Sequence, residues 1–276
     1  MHASNPVLIQ DVPRSPSVQP PLFLVHDASG TIFSYFQLGA LGRKVYGIYD
    51  PRFEQSGGGG WQSVVEMARM YIRLIKKVML RGDIVLGGWS FGGILAVQIA
   101  HMLAMENKRL RVSGIILVDS IYSSTPKRVL DMDSQGPMMP GVTQDVKEKV
   151  LTSLIRATCL CDEWQPPAWN TTDAKFHGKN VPIPPPVVLV RAKSLVPMVN
   201  PNEMCLLDKT RSMPYLGWED AYEDFIIKVL ETCGDHYSIF DTPNTFISNK
   251  SKEVEAKERK ELLEDKHLLY LLWHNK

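Results

Sequence analysis

The segment Gly87-Gly88-Trp89-Ser90-Phe91-Gly92-Gly93 restricts the folding of this chain more than any other. It follows the apolar run Ile84-Val85-Leu86 and leads into the apolar stretch Ile94 to Met105, a pattern that predicts strand, turn and helix in direct succession. A G-x-S-x-G sequence in that context puts the serine on a sharp strand-to-helix turn. The flanking glycines are needed because the backbone is crowded there, and the turn lifts the hydroxyl above the sheet edge. Without the strand and the helix the same five residues would carry little weight.

The rest of the chain supplies the remainder of such a sheet. Leu22-Phe23-Leu24-Val25, Val45 to Tyr49, Gly114 to Val118 and Val187 to Val190 are short apolar runs bounded by turn residues, and Ile227 to Leu230 alternates. Helical periodicity covers Trp61 to Met79 and Phe91 to Met105. Strands alternating with helices predict an α/β fold with a mostly parallel, doubly wound sheet, and strands apolar throughout predict burial on both faces. Residues 1–21 read as a proline-rich leader and 22–276 as one domain with two departures from the alternation. The first is an insertion at about 120–186, rich in proline and carrying Met132, Met138, Met139, Trp164 and Trp169. Within it Val146, Val150, Leu151, Leu154, Ile155 and Thr158 mark an amphipathic helix that Thr143 is placed to cap. An insertion of that length in a compact domain is expected to serve function, here as a lid, with Leu154 and Ile155 as candidate substrate contacts. The second departure is a helix at about 251–273, supported by Glu253/Lys257 and Glu255/Arg259 pairs.

Composition narrows the function classes. Thirty-one basic residues stand against thirty acidic ones, with no concentrated basic face, so nucleic acid is not an expected partner. No apolar run reaches the length of a membrane span, and the leader lacks the apolar core of a signal peptide. Cys159, Cys161, Cys205 and Cys233 form neither a disulfide scaffold nor a paired CxxC zinc site. The expectation is a cytoplasmic protein with reduced cysteines and no bound metal. Gly57 to Gly60 lacks the Lys-Ser/Thr of a phosphate loop and reads as a connector.

A serine nucleophile needs a base, and the base needs an acid to orient it. Of seven histidines, His236 in Gly234-Asp235-His236-Tyr237 follows the last expected strand and so arrives at the same sheet edge as Ser90. His101 lies behind the serine along the next helix. For the acid, the strand Val187 to Val190 is followed by Arg191-Ala192-Lys193-Ser194, with no carboxylate before Glu203. The preceding strand ends directly in Asp119, which is therefore the expected acid, while Asp83 sits at the wrong end of its strand and Asp235 is too close to His236. The oxyanion donors are expected to be the backbone N–H of Phe91 and one from His26-Asp27-Ala28-Ser29-Gly30, Ala28 first and Asp27 next.

The set LVHDASG, GGWSFGG, ILVDS and GDHYSIF resembles the C-terminal thioesterases of polyketide synthases, nonribosomal peptide synthetases and animal fatty acid synthase. The His-Asp-x-Ser-Gly turn and the Gly-Gly-Trp-Ser elbow are most similar to fungal polyketide synthase thioesterases, although those commonly carry Ala where this chain has Phe91. The resemblance spans Leu22 to Phe240 apart from the insertion. It implies an α/β-hydrolase fold and release of an acyl chain from the phosphopantetheine of an acyl carrier protein, by hydrolysis or cyclisation, with no other cofactor. The alternatives are a free-standing esterase or lipase of small esters and a catalytically silent ligand-binding relative.

Overall fold

The computed structural model describes residues 4–12, 19–53, 60–106, 109–123, 141–170, 181–198, 200 and 202–241. Seven strands form one sheet: β1 (Val7–Gln10), β2 (Leu22–Val25), β3 (Val45–Ile48), β4 (Gly82–Trp89), β5 (Leu110–Val118), β6 (Val187–Ala192) and β7 (Ile226–Thr232). Their order across the sheet is β1-β3-β2-β4-β5-β6-β7. β1 pairs antiparallel with β3, and every other pairing is parallel. Three helices are described: α1 (Val64–Val78), α2 (Phe91–Glu106) and α3 (Gln144–Glu163).

The inner strands β2 to β6 feed both faces of the sheet. Phe23 and Val25 of β2 and Ile84 and Leu86 of β4 join the core under α1 and α2, while Leu22, Leu24 and Val85 join a second core on the opposite face. Among the described residues that second face is covered by Tyr35, Ile239 and Phe240. Burial on both sides is what allows these strands to be apolar throughout. α1 starts where Ser63 Oγ accepts the Glu66 N–H at 3.1 Å, and it buries one stripe including Met67, Tyr71 and Ile75. α2 is buried along most of its length.

Two expectations need correction. The leader contains β1, which the sequence reading left unassigned. Its run Val7-Leu8-Ile9 is as short as Ile84-Val85-Leu86 and stands inside the proline-bearing leader, and its residues are mostly half-buried, with Leu8 exposed. Thr143 does stand immediately before α3, but its side chain makes no capping bond. Only its carbonyl is used, accepting the Lys147 N–H at 3.1 Å. The helix at 251–273, His2, His177, His267, His274, most of the Gly57–Gly60 run and Met132, Met138 and Met139 lie outside the described residues.

What positions the site is the join between β4 and α2. A Cβ on Gly92 would lie 2.4 Å from Val25 O and 2.6 Å from His26 O, and one on Gly88 would lie 2.2 Å from the Gly92 carbonyl carbon. The first turn of α2 is thus in backbone contact with the ends of β2 and β4. Gly92→Ala is expected to lower unfolding free energy by more than about 3 kcal/mol, because the obstructing atoms are backbone and cannot turn away. Denaturant unfolding checks this, and a variant as stable as the parent would contradict the packing.

Candidate active site

Ser90 sits between β4 and α2 with φ 54°, in the left-handed region that a non-glycine residue occupies only under constraint. Its N–H donates to Val118 O at 2.9 Å, and its carbonyl accepts the Gly93 N–H at 3.1 Å. The hydroxyl-bearing residue is half-buried at the end of the sheet where the parallel strands finish. Because Trp89 is in register with Val118, the residues that follow them, Ser90 and Asp119, emerge from neighbouring strands at the same edge.

Asp119 is fully buried and also has a positive φ, 41°. Its N–H donates to Val190 O at 2.7 Å, which fastens it to β6. His236 stands in the turn after β7 and is buried, with its Nδ1 2.8 Å from Asp119 Oδ2. That turn is closed by Asp235, whose carboxylate accepts the Tyr237 N–H at 2.8 Å and the Ser238 hydroxyl at 2.9 Å. Asp235 is therefore a builder of the turn. The Trp89 ring lies 5.3 Å from that of His236, bringing the imidazole alongside the strand end that carries Ser90.

Asp119 receives more than the histidine. Arg211 donates through Nη1 to Oδ1 at 2.6 Å and through Nη2 to Oδ2 at 2.8 Å, and the Ala192 N–H donates to Oδ1 at 2.9 Å. Burial alone would push this carboxyl up, but the bonds from Arg211 and His236 outweigh it and hold it well below the usual carboxylate range. The folded state thus binds this proton less tightly than the unfolded chain does. Its contribution to stability is complete above the unfolded value near ~3.9 and is lost as pH falls below that.

Phe91 opens α2, so its N–H belongs to the first turn, whose amides have no carbonyl partner within the helix. Across from it lies the turn after β2. There Gly30 N–H donates to Asp27 O at 3.1 Å and Ser29 N–H to Asp27 Oδ1 at 3.2 Å, bonds that leave the Ala28 amide uncommitted. Tyr35 ties the two sides together, its hydroxyl donating to Val25 O at 2.6 Å and accepting the Trp89 N–H at 2.9 Å. Burial raises the Asp27 carboxyl, with the Ser29 hydroxyl and then the nearby His26 opposing the rise.

The remaining candidates fall elsewhere. His26 is buried with its Nε2 2.6 Å from the Tyr71 hydroxyl, and His101 bonds Ala168 O from the far side of α2. Asp83 pairs with Arg111 at the opening end of β4, and Glu203 is exposed. Leu154 is half-buried on α3, whereas Ile155 is 39% exposed, because the inward stripe of this helix is Val150, Ala157 and Leu160. α3 nonetheless reaches the sheet edge where Ser90 sits. A Cβ on Gly30 would be 3.5 Å from Ser153 Oγ, so this helix passes over the turn that carries Ala28. It is held to the body where Trp164 Nε1 donates to Gln98 Oε1 of α2 at 2.9 Å and where Trp164 packs with Tyr122 and Trp218.

Sequence reasoning missed Arg211 and Tyr35. Each acts on a partner far along the chain, and neither lies in a motif that would have singled it out. Among the described residues no group of three His, Cys, Asp or Glu side chains could hold a metal ion, and no helix is long and apolar enough to cross a membrane.

Residues 20–156 match the family model described as a thioesterase domain. The chain is 37% identical to Thioesterase frbD of Dothideomycetidae sp. (strain 11243), over 81% of this chain and 84% of that protein. It is 36% identical to Thioesterase AMT4 of Alternaria alternata, over 87% of each. Among solved structures, it superposes on the NocB thioesterase domain of the nocardicin cluster, crystallised as a covalent complex with a fluorophosphonate nocardicin G analog. The TM-score is 0.59 at 24% identity, covering 82% of this chain and 89% of that one, a likeness of fold. With relatives of this identity across four-fifths or more of its length, the chain belongs to the thioesterase family and has the α/β-hydrolase fold.

Proposed function

We propose that this thioesterase releases an acyl chain, of polyketide type, from the phosphopantetheine thioester of an acyl carrier protein through an acyl-enzyme on Ser90. The observation that carries the reading is the buried Asp119–His236 hydrogen bond at the sheet edge where Ser90 is held in a strained turn. The family membership supports the thioester substrate. The covalent fluorophosphonate complex of the NocB domain supports a serine nucleophile by analogy of fold.

In this mechanism His236 takes the Ser90 proton as Oγ attacks the thioester carbonyl carbon. The carbonyl π-electrons move to oxygen, and the oxyanion is met by the Phe91 and Ala28 amides. Asp119 stabilises the imidazolium and fixes its orientation. Collapse expels the pantetheine thiolate, which takes the proton from His236, and the acyl group stays on Ser90. Water or a nucleophile within the acyl chain then attacks the ester, again losing its proton to His236, and Ser90 leaves as the restored hydroxyl. The segment between Asp119 and β6 acts as the lid, and the α3 face around Leu154 contacts the acyl chain.

Three outcomes test this. A fluorophosphonate should add one label to the parent, Ser90→Ala should abolish it, and acyl-pantetheine turnover should drop by about 10³–10⁶-fold. Intact mass reads the label, and labelling that survives in Ser90→Ala removes this serine from the reaction. Asp119→Asn should cost on the order of 10²–10⁴ in rate. It should also lower stability by about 1–3 kcal/mol, since it weakens the bonds to a buried guanidinium. Steady-state kinetics and denaturant unfolding measure the two effects, and full activity in this variant would refute the acid. Leu154→Ser should change the preference between long and short acyl thioesters while sparing a small acyl ester. Equal losses for long, short and ester substrates would reduce α3 to a support of the fold.

A further inference from the structure

Two buried side chains behind the site take no part in the reaction described above. Asp208 and Arg211 lie in the turns between β6 and β7, 2% and 6% exposed. Arg211 commits four of its five guanidinium N–H groups: Nη1 and Nη2 on the two oxygens of Asp119, Nη1 also on Ala192 O at 3.1 Å, and Nε on Asp208 Oδ1 at 3.1 Å. The second oxygen of Asp208 accepts the Val196 N–H at 2.7 Å. Arg191 of β6 fastens the segment by donating to the carbonyls of Arg211, Met213 and Pro214.

Counting acceptors shows what this does to Asp119. A carboxylate offers about four lone-pair directions, and two bonds from Arg211, one from the Ala192 amide and one from His236 fill them. Its plane is therefore held by three bonds, two from Arg211 and one from the Ala192 amide, before His236 is added. The guanidinium also creates an electrostatic problem. A positive charge in bidentate contact cancels the negative charge that the imidazolium needs beside it. Asp208 answers this, because Asp119, Arg211 and Asp208 together carry a single negative charge, the same as a lone triad carboxylate.

We propose that Arg211 and Asp208 are positioning residues forming a charge-balanced clamp, in which Arg211 sets the Asp119 carboxylate for His236 and Asp208 restores the charge that Arg211 cancels. The proposal rests on the reading of His236 as base and Asp119 as its partner. The other titratable groups around His236 are Asp27 in the turn after β2 and Asp235 and Tyr237 in its own turn, with Cys205 behind them ahead of Asp208. None of these changes in the variants below.

The test is the rate of Ser90 modification by a fluorophosphonate as a function of pH, on the full chain, which needs no knowledge of the natural acyl group. Asp208→Asn removes a negative charge and should move the acidic limb of the profile to lower pH by about 0.5–1. Arg211→Gln removes a positive charge in direct contact and should move it to higher pH by about 1 or more. Arg211→Lys keeps the charge but loses the planar fork, so the limb should stay in place while the plateau falls about 10–100-fold. A purely structural role predicts lower plateaus with every limb unmoved, and that result, or limbs moving in one direction together, overturns the clamp. Should Arg211→Gln fail to fold, the contrast between Asp208→Asn and Arg211→Lys decides alone. A parent left unlabelled at Ser90 refutes the proposed mechanism itself, whereas a labelled parent with immobile limbs refutes only the clamp.

Discussion

The first turn of α2 touches the sheet with no side chain in between, and the geometry of the catalytic edge follows from that contact. Gly92 lies against the carbonyls of Val25 and His26, Gly88 against Gly92 itself, and Gly93 leaves no room for a Cβ beside Ser120. Three strand ends, those of β2, β4 and β5, are thereby drawn to one helix N-terminus. The chain passes from β4 into α2 through a single residue, and the cost of placing that residue at φ 54° is met by the packing around it. The serine, the free amides of the helix start, the turn bearing Ala28 and the carboxylate of Asp119 are neighbours for this one reason.

Burying Asp119 makes the edge rigid and also makes it expensive. A carboxylate without solvent is tolerable only with donors on every side, and the chain supplies them from β6, from the turns before β7 and from the turn after it. The same region anchors the insertion. Trp218 is fully buried and donates to the carbonyl of Ser120, the residue after Asp119, at 2.8 Å, and its ring packs against Tyr122 and Trp164. The chain thus leaves Asp119 through an aromatic cluster, which ties the insertion to the Asp119 side of the site.

Much of this was readable from the residues alone because it is local. Apolar runs marked β2 to β7 to within a few residues, and the strand-turn-helix context marked Ser90. Asp119 could be reached by elimination, since Arg191 and Lys193 stand where many sheets of this type carry the acid. Arg191 in fact holds the loop that delivers Arg211. What stayed hidden depends on distance along the chain. Arg211 is 92 residues from Asp119 and lies in a turn, while Tyr35 is 54 from Trp89 and lies in a single 3-10 helical turn, Phe33–Gln37, too short to show a period. β1 escaped because its three apolar residues, Val7-Leu8-Ile9, stand inside a proline-rich leader, outside the alternation of strands and helices that marked the rest. The part of α3 that meets the body includes Ala157, too small to stand out in the apolar pattern, while Ile155 stays 39% exposed.

The division of labour between the two sides of the site bears on how one catalytic edge could give different products. In the proposed mechanism neither His236 nor the Phe91 and Ala28 amides distinguish water from a hydroxyl or a carbon nucleophile at the end of the bound chain, because each presents the same proton or the same developing charge. Product choice must therefore come from surfaces that shape the acyl chain and exclude water. α3 crosses the turn after β2 at Ser153 and Gly30, the turn that carries Ala28, and none of the residues bonded to Asp119 lies on it. In that mechanism, changes on its face would alter the path of the acyl chain near the oxyanion without touching the residues bonded to Asp119. A fold arranged in this way lets substrate scope vary while the proton-transfer geometry stays fixed.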